Sequence, residues 1–153
     1  MPHLVILYTP NIEAEADMPT LCRSLANTML TVHDEDGKQV FPTGGTRVLA
    51  YPATHFAVAD GGAAGIAAGG SGDYAFVYLN IGMANGRSSA TIKRAGDALL
   101  ACAKAHFALI FERRHIGMTL QIDESPAQVY DGRHSSLHPL FASPAPAPGP
   151  TVS

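Results

Sequence analysis

The stretch Pro2-His3-Leu4-Val5-Ile6-Leu7-Tyr8-Thr9 commits the chain to open on a β-strand. Apolar and β-branched residues fill it, and Thr9-Pro10-Asn11 ends it as a turn. The proline that follows Met1 is chemically special. Inside a chain its nitrogen carries no proton and is neither acid nor base. If Met1 is removed, as a small second residue permits, Pro2 becomes a secondary amine at the head of an apolar strand. An α-amino group titrates near about 7.7–8.0, and burial or neighbouring cations lower that value because both disfavour the charged form. A neutral amine in a half-buried pocket is a competent general base. The plainer use of Pro2 is to stiffen the start of the strand.

The remaining sequence bounds what surrounds this strand. A chain of 153 residues, 46% apolar and 15% charged, suggests one domain with a substantial core. The net charge of −3 gives no case for nucleic acid or an anionic membrane as partner. No apolar stretch approaches the roughly 20 residues of a membrane span, and no basic region precedes the short run Leu4–Tyr8 as in a signal peptide. Cys22 and Cys102 fall in helix-like stretches without CxxC spacing and read as reduced core thiols. Together these features predict a cytoplasmic protein.

Asn11 is placed to cap a helix that carries Glu13 and Glu15 in its first turn and runs to about Leu30, with a break near Met18 imposed by Pro19. His33-Asp34-Glu35-Asp36-Gly37-Lys38 reads as a solvated loop. Thr46 to Ala59 reads as a second strand region, with Pro52 arguing for an edge or a bulge. Gly61 to Gly72, six Gly and four Ala in twelve residues, lacks the ending of a phosphate-binding loop and reads as a flexible surface insertion. Asp73 to Met83 is the strongest strand pattern. Ser88 or Ser89 then caps a long helix to about Arg114, with Arg113, Arg114 and His115 at its negative end. Ile116, Met118, Leu120 and Ile122 alternate with polar residues as a strand with one buried face. A short element spans Tyr130 to Phe141, and residues 142–153 form a Pro/Ala-rich tail expected to be disordered.

The order is thus strand, helix, strand, twice over. Right-handed crossovers place both helices on one face of a four-stranded mixed sheet, giving an α+β double β-α-β domain over residues 1–141. The opposite sheet face is left uncovered, which predicts oligomerisation through it.

Arg47 follows Gly-Gly-Thr at the start of the second strand, and Arg87 lies in a glycine turn before a helix N-terminus. Both positions suit carboxylate binding, though a solvated surface arginine is the plainer reading of each taken singly. The seven histidines form no HExxH or paired spacing, so no metal site is expected. His106 reads as packed within its helix, and His3 and His138 as possible polar lining of the amino-terminal pocket. Tyr74 and Tyr78 read as core packing rather than pocket lining.

The series Pro2-His3-Leu4-Val5-Ile6-Leu7-Tyr8, Asn11-Ile12, Glu15-Ala16-Asp17-Met18-Pro19, Phe41-Pro42 and Gly45-Thr46-Arg47 resembles the 5-carboxymethyl-2-hydroxymuconate isomerase family of the tautomerase superfamily. Ala59-Asp60-Gly61, Asp73-Tyr74-Ala75-Phe76-Val77, Gly86-Arg87-Ser88 and Ala105-His106-Phe107 continue the series to Phe141. The resemblance implies a homotrimer acting on a small carboxylate-bearing dienol from aromatic ring breakdown, without metal or organic cofactor. It also implies that Pro2 is the catalytic base and that Arg47 and Arg87 bind substrate carboxylates. Leu49 stands where that family often has a second arginine. The alternatives are a related tautomerase acting on a different unsaturated acid and a non-catalytic trimer that keeps the fold.

Overall fold

The first strand, β1 (His3–Tyr8), lies between β2 (Arg47–Pro52) and β3 (Ala75–Ala84), and β4 (Ile116–Ser125) completes a four-stranded sheet of order β2-β1-β3-β4. The computed structural model describes residues 3–142, so Pro2 and all of the expected tail beyond its first residue lie outside the described residues. β1 runs parallel to β2 and antiparallel to β3, and β3 runs parallel to β4. The sheet is mixed, as the double β-α-β order predicts. Pro52 ends the edge strand β2, where its missing N–H costs nothing. The expected strand does not continue to Ala59; after Ala53 donates to the Tyr8 carbonyl at 2.8 Å the chain is irregular.

Alternation along the strands separates the two faces of the sheet. Leu4, Ile6 and Tyr8 of β1 and Val77, Leu79 and Ile81 of β3 are buried on one face. Two long helices cover it, α2 (Met18–Thr31) over β2 and α4 (Ser89–Arg113) over β4, packed on each other. Leu21, Leu25 and Met29 from α2, and Leu99, Ala103 and Phe107 from α4, close the core. Each large aliphatic or aromatic side chain fully buried this way is worth about 1.5–3 kcal/mol. Cys22 and Cys102 are free thiols on these helices, half-buried beside the core. On the other face Leu7, Leu49 and Tyr51 are 44%, 41% and 50% exposed, an uncovered apolar strip over β1 and β2.

The break in the first helix falls at Asp17, one residue before the position that Pro19 suggested. A short helix α1 (Glu13–Ala16) ends there, Asp17 takes a left-handed conformation (φ 45°), and its carboxylate accepts from the Thr20 N–H to cap α2. Asn11 does not cap a helix. Its amide instead donates to the Asp73 carboxylate at 2.8 Å and the Tyr74 carbonyl at 2.7 Å, across more than sixty residues. Neither Tyr74 nor Tyr78 is core. Tyr78 lies on the open face and donates to Gln121 at 2.8 Å.

The Gly/Ala segment is built rather than loose. The Asp60 carboxylate accepts from the Gly62 and Ala64 N–H groups, both at 2.9 Å, and starts a short helix, α3 (Ala63–Ala67). The Gly65 N–H donates to the Tyr74 hydroxyl at 2.9 Å. A Cβ on Gly62 (φ +114°) would sit 2.2 Å from the Gly72 carbonyl oxygen, and one on Gly70 would sit 2.8 Å from His115 Nε2. The glycines let backbone approach backbone and ring, so their abundance reflects close packing. Replacing Gly62 by Ala places a side chain in both a strained φ and occupied space, at more than about 1 kcal/mol. Limited proteolysis is expected to cut Gly62→Ala within residues 61–72 at protease levels that leave the wild type whole.

Candidate active site

At the start of β1, His3 pairs in register with Arg47 at the start of β2. Three adjoining cavities run past this edge of the sheet. The central one, about 520 Å³, is bounded by His3, Val5 and the end of β3. The second, about 530 Å³, shares His3, Asp131 and Arg133 with it and adds Arg47 and His134. The third, about 380 Å³, shares Ala84 and Asn85 with the central cavity and adds Arg87, Ser88 and the carboxylates of Asp34, Glu35 and Asp36. Arg47 and Arg87 therefore line different cavities at the two ends of one run, with His3 between them. Pro2, bonded to His3, lies outside the described residues.

Local structure explains how Arg87 is held. Gly86 at φ +93° reverses the chain after β3 in a conformation that L side chains rarely adopt. The Arg87 guanidinium then donates to the Val40 carbonyl at 3.0 Å. Ser88 caps α4 by accepting from the Thr91 N–H at 3.1 Å. Glu35 reaches in from the 33–38 loop and accepts from the hydroxyls of Ser88 and Thr91. These bonds, that of Ser88 foremost, hold the Glu35 carboxyl below its ordinary value. The loop expected to be merely solvated thus ties down the turn carrying Arg87.

His138 lies in a short turn, His138–Phe141, that packs on Gly44 and lines a separate cavity with Arg133. His106 contacts the Ala16 carbonyl and stacks edge-on against Phe107, away from the cavities. Among the described residues no cluster of three or more His, Cys, Asp or Glu is placed to hold a metal ion, and no helix is long and apolar enough to cross a membrane.

Residues 2–141 match the 5-carboxymethyl-2-hydroxymuconate isomerase family. The chain belongs to that family. A 5-carboxymethyl-2-hydroxymuconate Delta-isomerase from Escherichia coli is 28% identical over 141 residues, spanning 92% of this chain and 99% of its own. A crystal structure of a 5-carboxymethyl-2-hydroxymuconate delta-isomerase is 54% identical, covers 95% of this chain and 96% of its own, and superposes with a TM-score of 0.90. The isomerase from Deinococcus radiodurans R1 is 30% identical over 93% of this chain and 95% of its own, with a TM-score of 0.74. A member of the cis-3-chloroacrylic acid dehalogenase family, 10% identical over 88% of this chain and 82% of its own, shares the fold alone, with a TM-score of 0.57. The protein is an isomerase of this family with a small-molecule substrate.

Sequence reasoning missed Arg133 and Asp131, which an apolar-pattern reading passes over within a short polar element. Arg133 donates to Asp131 Oδ2 through Nε at 2.9 Å and Nη2 at 2.5 Å, and this bond holds the Asp131 carboxyl below its ordinary value. The only cue was the opposite-charge pair around Gly132.

The Glu35 contacts give a pH signature. Because its folded-state pKa is depressed, its stabilisation is complete above its unfolded value near 4.5 and disappears as pH falls through the lower folded value. Urea unfolding of wild type and Glu35→Gln should differ at pH 7, and the difference should shrink as the pH falls below about 4.5.

Proposed function

We propose that the enzyme catalyses an enol–keto 1,3-proton shift in 5-carboxymethyl-2-hydroxymuconate or a similar unsaturated polycarboxylate, with Pro2 as general base. The run of cavities with Arg47 and Arg87 at its ends and His3 between them is the observation that supports it most. Pro2, freed of Met1, takes the enol proton onto its nitrogen and returns it to the other carbon of the enol double bond, leaving the β,γ-unsaturated ketone. Arg47 and Arg87 grip carboxylates at opposite ends of the dienol and stabilise negative charge as it develops. Their positive field also favours the neutral amine. Family membership, with its isomerase relatives, supports the same reaction class.

The working assembly in this reading is a cytoplasmic homotrimer. The exposed strip of Leu7, Leu49 and Tyr51 on the open sheet face supports association, since such a strip gains from leaving water.

A second reading, a tautomerase acting on a different unsaturated acid, is favoured by Leu49. It pairs with Val5, itself a lining residue of the central cavity, and so brings an apolar side chain beside the site.

Intact mass should show Met1 absent, because an acylated proline nitrogen has no basic lone pair. Ultraviolet-monitored ketonisation should then fall on the order of 10²-fold or more in Pro2→Ala. Arg47→Ala and Arg87→Ala should each raise KM about tenfold or more. Turnover undiminished in Pro2→Ala would overturn the assignment of the base, and a single-subunit mass in sedimentation would remove the trimer.

A further inference from the structure

Arg133 lies on the wall shared by the cavity that holds Arg47 and the cavity that leads toward Arg87. Among the described residues Asp131 is the only acid lining either of these two cavities, against the guanidinium groups of Arg47 and Arg133. Two guanidinium groups against one carboxylate suit an anion more than a neutral ligand. Arg133 and Asp131 are more than two-fifths exposed and only two residues apart. An exposed pair of this kind contributes little to stability, so a carboxylate offered with better geometry displaces it. The guanidinium fork presents Nε and Nη2 side by side, the arrangement that accepts a carboxylate bidentately.

Resting on the reaction proposed above, we propose that Arg133 is a specificity-determining residue that binds a third, branching carboxylate of the substrate and exchanges Asp131 for it. Arg47 and Arg87 stand at the ends of the cavity run and suit the terminal carboxylates of a linear dienol. Arg133 stands between them and suits a branch. In this reading Asp131 is an internal stand-in when the site is empty of substrate.

The test compares 5-carboxymethyl-2-hydroxymuconate with 2-hydroxymuconate, which lacks the branch, in wild type and three variants whose folding is checked by thermal melts. Arg133→Ala should lower the ratio of kcat/KM for the branched over the linear dienol by about tenfold or more, mainly through KM. Arg133→Lys should recover part of it, because the charge remains and the fork does not. Asp131→Asn should move the ratio the opposite way, since it removes the competitor and keeps the guanidinium. An ion pair that merely shapes the segment would lower the ratio in both Arg133→Ala and Asp131→Asn; that result, or an unchanged ratio in Arg133→Ala, overturns the proposal. If the wild type turns over neither dienol, the reaction reading fails separately, and calorimetric titration with tricarballylate and glutarate decides about Arg133. A preference for tricarballylate that is lost in Arg133→Ala supports the site. A preference that survives, or no binding at all, overturns it.

Discussion

Hydrogen bonding of β1 to β2 on one side and β3 on the other fixes where the beginning of the chain emerges. A chain terminus ordinarily frays because few contacts hold it. Here the first strand is central, and Leu4 and Ile6 are fully buried beneath the two helices, so displacing it would break two ladders and empty the middle of the core. His3 inherits that rigidity. A general base attached to such a strand needs no loop to aim it, and the loss of chain freedom is met by folding rather than by substrate binding. The parallel register with β2 sets Arg47 directly beside His3, so one pairing brings strand start and cation together.

The two ends of the sheet are built differently. At the end away from His3, Arg114 bridges Glu15 at 3.0 Å and Asp73 at 2.9 Å, and Asn11 holds the same Asp73. Glycine contacts around Gly62, Gly65 and Gly70 lock the neighbouring insertion against Tyr74 and His115. At the His3 end the charges come from turns and an irregular segment: Arg87 after Gly86, Glu35 in a loop, Asp131 and Arg133 beyond β4. A pair held by exposed, local contacts, as Asp131 and Arg133 are, can exchange a protein partner for a ligand at small cost, whereas an interlocked backbone cannot.

Period-2 and helical patterning carried the elements that bury apolar surface, and those were legible: β1, β3, the alternating face of β4, and α4 with its Ser88 cap. Legibility failed where a side chain reaches far along the chain. Asn11 had the residue type and position of a helix cap, yet its amide serves Asp73 and Tyr74, partners that no local rule can supply. Arg114 looked like a complement to the helix dipole and is instead a bridge to two distant carboxylates, while Arg113 does donate to the Leu109 carbonyl of its own helix. The Gly/Ala segment was misread for a related reason. Composition cannot distinguish glycine used for freedom from glycine used for close approach, because the deciding atoms, the Gly72 carbonyl and the His115 ring, arrive only on folding. Of the candidate site, Arg47 and Arg87 were legible from their turns, and Arg133 was not.

The same division explains why the fold constrains the reaction class more tightly than the substrate. The buried face of the sheet and the two helices form one packed unit in which a volume change is felt throughout. Those residues fix the start of β1, which any reaction using an amino-terminal base requires. The groups that would meet the ends and branches of a substrate lie outside that unit, on the 33–38 loop, the Gly86–Arg87 turn and the segment after β4. A substitution there alters charge and shape without disturbing the core. On the proposal that Pro2 is the base, selection acting on such positions can change which acid is accepted while β1 stays where its two ladders hold it.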